Sequence, residues 1–325
     1  MRKKSENRRR LLPGFKSSLK EGGILHSLLE RVKKDPTLCL EIRNNYINIY
    51  YRGGNLIEVK EKEGFVAHFD TNYCSGAKNE VIETLRKNSK LLVKDNVDTW
   101  INAIPSLKQA MDFWFGKHPK EEREFQQIVL RENNGLVIGS GTDYFIIDVE
   151  YDNHSDARFD LVAVEWESKS SARKLQKGYR PKLCFIEMKY GDGALSGKAG
   201  VIDHIDKFSS YVKNAGLKNI KDEMLEAFRQ KRKLGLIPAL ENNKNQVKIF
   251  SDDVDFIFLF ANHDSDSRKL KDILTQIREK YQAINLGFNL KFCFSNFMGY
   301  GLYKQNVYSL SEFMNKFEEQ ISCNL

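Results

Sequence analysis

The sequence predicts an α/β protein in two parts: an antiparallel β-meander with helices, followed by a mixed central sheet flanked by helices. Three observations carry this expectation. Apolar residues recur with period two from Leu38 to Phe69, between turn-forming breaks. Helical spacing takes over between residues 78 and 132. From Tyr144 onward, short runs that are apolar on both faces alternate with helical stretches, the pattern of strands covered on both sides.

Composition bounds the class. The 325 residues are 41% apolar and 30% charged, enough to bury one large or two ordinary cores. Five scattered cysteines form no C-x-x-C pair, so a reducing, cytoplasmic setting is expected and a structural zinc site is not. The N-terminus lacks the apolar core of a signal peptide, and no apolar run approaches the ~18 residues of a membrane span, so no membrane partner is expected. The net charge of +8 is concentrated at the N-terminus, where residues 1–20 carry eight Lys and Arg against one Glu. A basic flexible tail over 1–20 follows, able to approach phosphates, while the body is near neutral.

The elements then fall in order. Ile24, Leu25, Leu28, Leu29 and Val32 have helical spacing, and Asp35-Pro36 ends that helix. Four strands follow in L-C-L-E-I-R, Y-I-N-I-Y-Y-R, N-L-I-E-V-K and F-V-A-H-F, broken at Asn44-Asn45, Gly53-Gly54-Asn55 and Glu63-Gly64. Their outward row is expected to hold Arg43, Asn48, Tyr50, Arg52 and Lys60, available to nucleic acid or to solvent. Helices are expected over 78–92 and 98–115; the Trp100, Ile104, Leu107, Met111, Trp114 and Phe115 stripe of the second reads as core rather than a base-stacking platform. His118-Pro119 closes this first domain (21–117), and the second occupies 118–325.

The second domain opens with a helix over Lys120–Glu132, whose carboxylates Glu121, Glu122 and Glu124 suit the positive end of its dipole. Strands follow at Tyr144–Glu150, Phe159–Trp166 and in the run L-C-F-I-E-M-K-Y-G-D-G from Leu183. A basic connection holding Lys169, Arg173, Lys174 and Lys177 precedes that run. A Gly-rich stretch over 191–200, containing Lys198, leads to a helix over 201–212 carrying His204. A helix over 220–234, strands at 255–261 and 290–294, a helix over 267–281 and a last helix opened by the capping box S-L-S-E complete the chain.

The chemistry gathers on the Leu183 run. Glu187 and Lys189 share a strand face at the end of a buried run, where an unpartnered ion costs several kcal/mol. Antiparallel pairing of the second and third strands puts the start of one beside the end of the other, hence Asp160 beside Glu187. Adjacent carboxylates repel unless a cation lies between them, and an oxygen-only site suits Mg2+, or Mn2+. An ordinary strand-end ion pair is the competing reading.

A Glu-bearing helix, an Asp near a strand start and E-x-K at the end of the next apolar strand together resemble the PD-(D/E)XK, or restriction-endonuclease-like, nuclease superfamily. The match spans roughly residues 119–300 but rests on few side chains, and Phe159 stands where the motif's name has proline. The resemblance implies that Asp160 and Glu187 bind the metal and Lys189 assists the nucleophile. It favours Glu122, spaced E-x-x-x-Q with Gln126, as the helix carboxylate, with Glu121 and Glu124 as alternatives; Asp148, Asp156 and Asp192 are substitutes under a different register. Lys169, Arg173, Lys174, Lys177, Lys198 and His204 become candidate nucleic-acid contacts. The function so implied is metal-dependent phosphodiester hydrolysis, on DNA before RNA, in restriction, repair or antiviral defence, by a homodimer or with a partner protein. The alternative is a nuclease fold without catalysis that binds nucleic acid or a partner.

Overall fold

The computed structural model describes residues 9–74, 79–92, 94–134, 141–152, 158–174, 179–237, 246–263, 267–295, 302 and 304–322. The chain forms two compact units, Met1–Arg131 with Glu226–Glu241, and Glu132–Leu225 with Asn242–Leu325.

The first unit holds helices α1 (Pro13–Leu19) and α2 (His26–Lys34), strands β1 (Leu38–Ile42), β2 (Tyr46–Tyr51), β3 (Gly54–Glu61) and β4 (Phe65–His68), then α3 (Glu80–Lys87) and α4 (Lys94–Lys117). The strands form the expected antiparallel meander in the order β1-β2-β3-β4. Arg52 and Gly53 both have positive φ, as a two-residue hairpin turn requires, and a Cβ on Gly53 would meet the Arg123 backbone at 2.5 Å. Leu40, Ile42, Ile47, Ile49, Ile57 and Val59 join Trp100, Ile104, Leu107 and Met111 of α4 in one core, so the α4 stripe is core as expected.

Two expectations for this unit are corrected. The basic tail ends earlier than residue 20, because Leu11, Phe15 and Leu19 are buried in the same core and α1 starts at Pro13; residues 1–8 lie outside the described residues. The apolar spacing of Phe15 and Leu19 outweighs the surrounding charge. Nor is the outward row of the meander solvated: Glu41, Arg43, Asn48 and Tyr50 are buried, and Lys231 Nζ donates to both Glu41 oxygens at 2.7 Å. Lys231 belongs to the last turn of helix α8 (Lys218–Lys233), about 190 residues downstream, so local periodicity could not reveal the cover. Arg52 is half-buried and bound to Asp112 and Glu124, and Lys60 pairs with Glu58.

Helix α5 (Glu121–Asn134) begins in the first unit and ends in the second, where Asn134 exchanges two hydrogen bonds with the Ile146 backbone. The second unit continues with β5 (Tyr144–Asp152), β6 (Arg158–Glu165), α6 (Ser170–Arg173), β7 (Lys182–Tyr190), α7 (Val201–Ala215), the first half of α8, β8 (Val254–Ala261), α9 (Arg268–Tyr281), β9 (Asn289–Ser295) and α10 (Leu310–Ser322). Its sheet runs β5-β6-β7-β8-β9, antiparallel through β7 and parallel from β7 to β9. Parallel neighbours need crossovers, which α7, α8 and α9 supply. The chain is thus a mixed α/β protein with a four-stranded antiparallel sheet and a five-stranded mixed sheet. β7 and β8 are buried almost throughout, as their two-sided apolar sequences require.

An aromatic layer fixes one face of this sheet. Phe208 of α7 packs on Phe159, Phe185 and Phe256, and Phe313 of α10 packs on Phe260, Phe292 and Phe294. The expected capping box opens α10, with Ser309 N–H donating to Glu312 at 2.7 Å. Among the described residues no helix is long and apolar enough to cross a membrane.

Candidate active site

The site grows from the C-terminal end of β7. The register sets Glu187 opposite Phe258 and Lys189 opposite Phe260 of β8, so both point to the aromatic-covered face. Each is almost wholly buried, at 4% and 3% exposure, and Lys189 Nζ donates to Glu187 Oε1 at 2.9 Å. The competing sequence reading, an ion pair, is therefore present in the structure, and the surroundings decide whether it is only that.

Asp160 reaches this place. The β6–β7 ladder ends at Leu161↔Ile186, and one step further Asp160 Oδ2 accepts the Met188 N–H at 2.8 Å. A side-chain carboxylate thus takes a backbone donor where the two strands cease to pair, at the residue that follows Glu187. β5 adds to the acidity. A register irregularity between Ile146 and Asp148 sets Asp148 opposite Val162, hence on the Glu187 face, and Asp148 is 1% exposed. Glu150 follows with φ of 51°, at the position across from Asp160. A left-handed non-glycine residue inside a strand is strained, and such strain gathers at functional sites.

α7 closes the arrangement from above. His204 Nε2 lies 3.1 Å from Glu187 Oε1. Burial and the nearby ammonium of Lys189 hold its pKa down at about 4, so the neutral ring donates Nε2–H to the carboxylate. Its spacing on a helix had offered no more than a phosphate contact; its geometry puts it against the expected metal ligand.

Sequence reasoning missed His263, which follows β8. Its ring is 4% exposed, with Nδ1 2.8 Å from Asp192 Oδ1 and Nε2 3.0 Å from the Lys189 carbonyl. Seventy-four residues separate it from Lys189, and no local signal marks it.

Arg173 donates to the Glu167 and Thr142 carbonyls and stacks over Phe145, so its guanidinium secures the loop after β6. Lys169 pairs with Glu167 at the surface, and Lys174 and Lys198 are exposed. Lys177 and Asp156 lie outside the described residues. Glu122 falls within the first unit, whereas Asp160, Glu187 and Lys189 fall within the second. Glu124 binds Arg52, and Gln127 binds the Gly53 N–H and the Thr37 carbonyl.

A second polar cluster lies on the opposite sheet face. Among the described residues, Glu165, Cys184 and Asp255 form the group of three whose ligand atoms lie within 4.8 Å of one another. Lys182 Nζ stands 3.1 Å from Asp255 and 3.8 Å from Glu165, and Lys304 Nζ is 3.3 Å from Glu165. Burial and the neighbouring carboxylates also drive the Cys184 thiol well above its ordinary pKa, away from the thiolate a soft metal needs. Ammonium groups already neutralise this cluster, which carries no sign of a Mg2+ site. Comparison with protein-family models, with curated proteins and with solved structures finds no match.

Proposed function

We propose that the second unit is a metal-dependent nuclease of the restriction-endonuclease-like type, hydrolysing phosphodiester bonds of DNA in preference to RNA. One observation carries this reading: Asp160 takes the Met188 N–H where β6 and β7 part, beside a buried Glu187 that shares its face with Lys189. The mixed sheet with Asp at one strand start and E-x-K at the next strand's end has the order expected of that superfamily.

The donor set fits a hard cation. Asp160 and Glu187 offer carboxylate oxygens, with Asp148 and Glu150 on the adjoining strand, and among the described residues the sheet cysteines Cys184 and Cys293 lie on the other face. Mg2+ takes such oxygens while retaining waters, and Mn2+ accepts the same ligands. Bound there, the ion would lower the pKa of a water and offset charge on the phosphate. Asp160 is fixed by the Met188 N–H and Glu187 by His204, so both carboxylates are oriented in advance. Lys189, at present on Glu187 Oε1, is the cation nearest the reacting phosphate in this reading and would stabilise its developing negative charge. Restriction, repair or defence against foreign DNA, in a cytoplasmic setting, is the context this activity suits.

The buried Lys189–Glu187 pair supports a second reading, a nuclease fold that binds nucleic acid or a partner without cleaving. Cleavage of plasmid and oligonucleotide substrates in Mg2+ or Mn2+ separates the two. Wild type should cut, and Asp160→Asn, Glu187→Gln and Lys189→Ala should each lose at least about a hundredfold in rate. Asp160→Asn is the sharpest variant, because the amide oxygen still accepts the Met188 N–H while the charge is gone. Metal-independent cleavage, or none by any of the four proteins, would refute the catalytic reading.

A further inference from the structure

We propose that His263 and Asp192 form a positioning pair that fixes the main chain of Lys189, and so the reach of its ammonium, within the catalytic reading given above. Both lie in loops at the same end of the sheet: Asp192 follows β7 and His263 follows β8. Each loop turns through a positive φ, 66° at Gly191 and 52° at Asn262, and Gly191 N–H donates to the Ala261 carbonyl at 2.8 Å. The imidazole then lies under the end of β7. Its Nδ1 lies 2.8 Å from Asp192 Oδ1, and its Nε2 donates to the Lys189 carbonyl at 3.0 Å.

Three features argue for more than a loop staple. The ring is 4% exposed, and its edge-on contact with Phe260 fixes its plane. The Lys189 carbonyl is an acceptor only, so Nε2 is the donor to it, and Asp192 is the carboxylate that faces Nδ1. Burial raises the Asp192 carboxyl, but hydrogen bonds with Ser267 and His263 outweigh it and hold the carboxyl below the ordinary range. Most directly, the acceptor is the carbonyl of Lys189 itself, two residues from Glu187. A shift of the peptide there turns the Lys189 side chain away from Glu187 Oε1, now 2.9 Å away. Displacements of about 1 Å in a reacting group cost on the order of a hundredfold in rate.

The test uses the full chain in Mg2+ on plasmid DNA, with Mn2+ affinity measured separately by the paramagnetic signal of the free ion. His263→Ala should lower kcat roughly 10- to 100-fold while KM and Mn2+ affinity stay within about threefold. Asp192→Ala should give a smaller loss in kcat, and the double variant should be no worse than His263→Ala, because the two act as one unit. His263→Gln retains one donor and should recover part of the rate; it also stands in if the alanine variant does not fold. Variants that lose thermal stability at unchanged kcat would overturn the pair as a positioning device and leave a loop staple. A parallel loss of Mn2+ affinity would overturn it too, since the effect would then pass through the metal ligands. Wild type without cleavage would fail the nuclease reading itself, an outcome distinct from active wild type with unaffected variants.

Discussion

Replacing Lys189 by methionine separates a metal site from a plain ion pair without any substrate. The Nζ–Oε1 distance of 2.9 Å corresponds to an attraction of ~6 kcal/mol at an effective dielectric constant of about 20. Much of this offsets the desolvation of two groups that are 4% and 3% exposed. Removing one partner of a buried pair costs ~3–5 kcal/mol, because the other charge is left uncompensated. His204 still donates to Glu187 Oε1, so the lower figure, ~3 kcal/mol, is expected for Lys189→Met. The measurement is the opening free energy of the β7 segment by native-state hydrogen exchange. A cation held by Glu187 and Asp160 replaces the lost ammonium, so Mn2+ at 100 times its dissociation constant should restore ~2.7 kcal/mol. The double variant Glu187→Gln, Lys189→Met should be less destabilised than Lys189→Met and indifferent to Mn2+. If millimolar Mn2+ leaves Lys189→Met unchanged, Glu187 and Asp160 hold no metal and the site reading is wrong.

Two further predictions concern the first unit. Lys231→Met should destabilise it by ~3–5 kcal/mol, because Glu41, at 0% exposure, loses the ammonium that contacts both its oxygens; thermal melting of this variant beside Glu41→Gln, Lys231→Met, which should recover most of the loss, checks it. Burial raises the pKa of Asp35, but hydrogen bonds from Lys108 and Thr37 outweigh it and bring the carboxyl from 3.8 to about 2. The folded value lies below the unfolded one, so this contribution is fully present above pH 3.8 and is lost as pH falls toward 2. Asp35→Asn should therefore cost about 1–2 kcal/mol near neutral pH and show a shallower acid limb in urea unfolding across a pH series; an acid limb as steep as that of wild type would refute the assignment.

What was legible in the sequence follows from the range of the forces involved. The β7 run was readable because a strand covered on both faces needs apolar residues at every position, so the charges that end the apolar run from Leu183, Glu187 and Lys189, stand out by contrast. The meander turns and the Ser309 capping box were readable because their hydrogen bonds close within a few residues. α1 was obscured by charge, although Phe15 and Leu19 have the spacing of one helix face and both are buried. The cover on Glu41 comes from a helix remote in sequence, and a half-apolar strand face reads the same whether water or a helix lies over it. The irregularity at Ile146/Asp148 reverses which of two neighbouring residues faces Glu187, a change no period-two count contains. His263 acts on a backbone carbonyl, and carbonyls are present at every residue, so sequence offers no complementary signal.

The geometry around Glu187 weighs against an ion pair as its whole purpose. A pair serving stability alone would be satisfied by Lys189 and Glu187 on one strand, with β6 continuing to bond β7 alongside them. Instead, register pairing stops at Leu161, the Met188 N–H is given to a carboxylate, and the strand beyond carries a left-handed Glu150 and a buried Asp148 on the approach to the same face. Each of these departs from what a sheet optimised for stability would do, since a continued ladder, an extended glutamate and an apolar residue at 148 are all less costly. Their common setting is the place where β6 and β7 stop pairing, at the end of β7 that also carries a buried lysine. That combination has a use if a divalent cation and a phosphate meet there, and the Mn2+ rescue of Lys189→Met reads the first half of that statement directly.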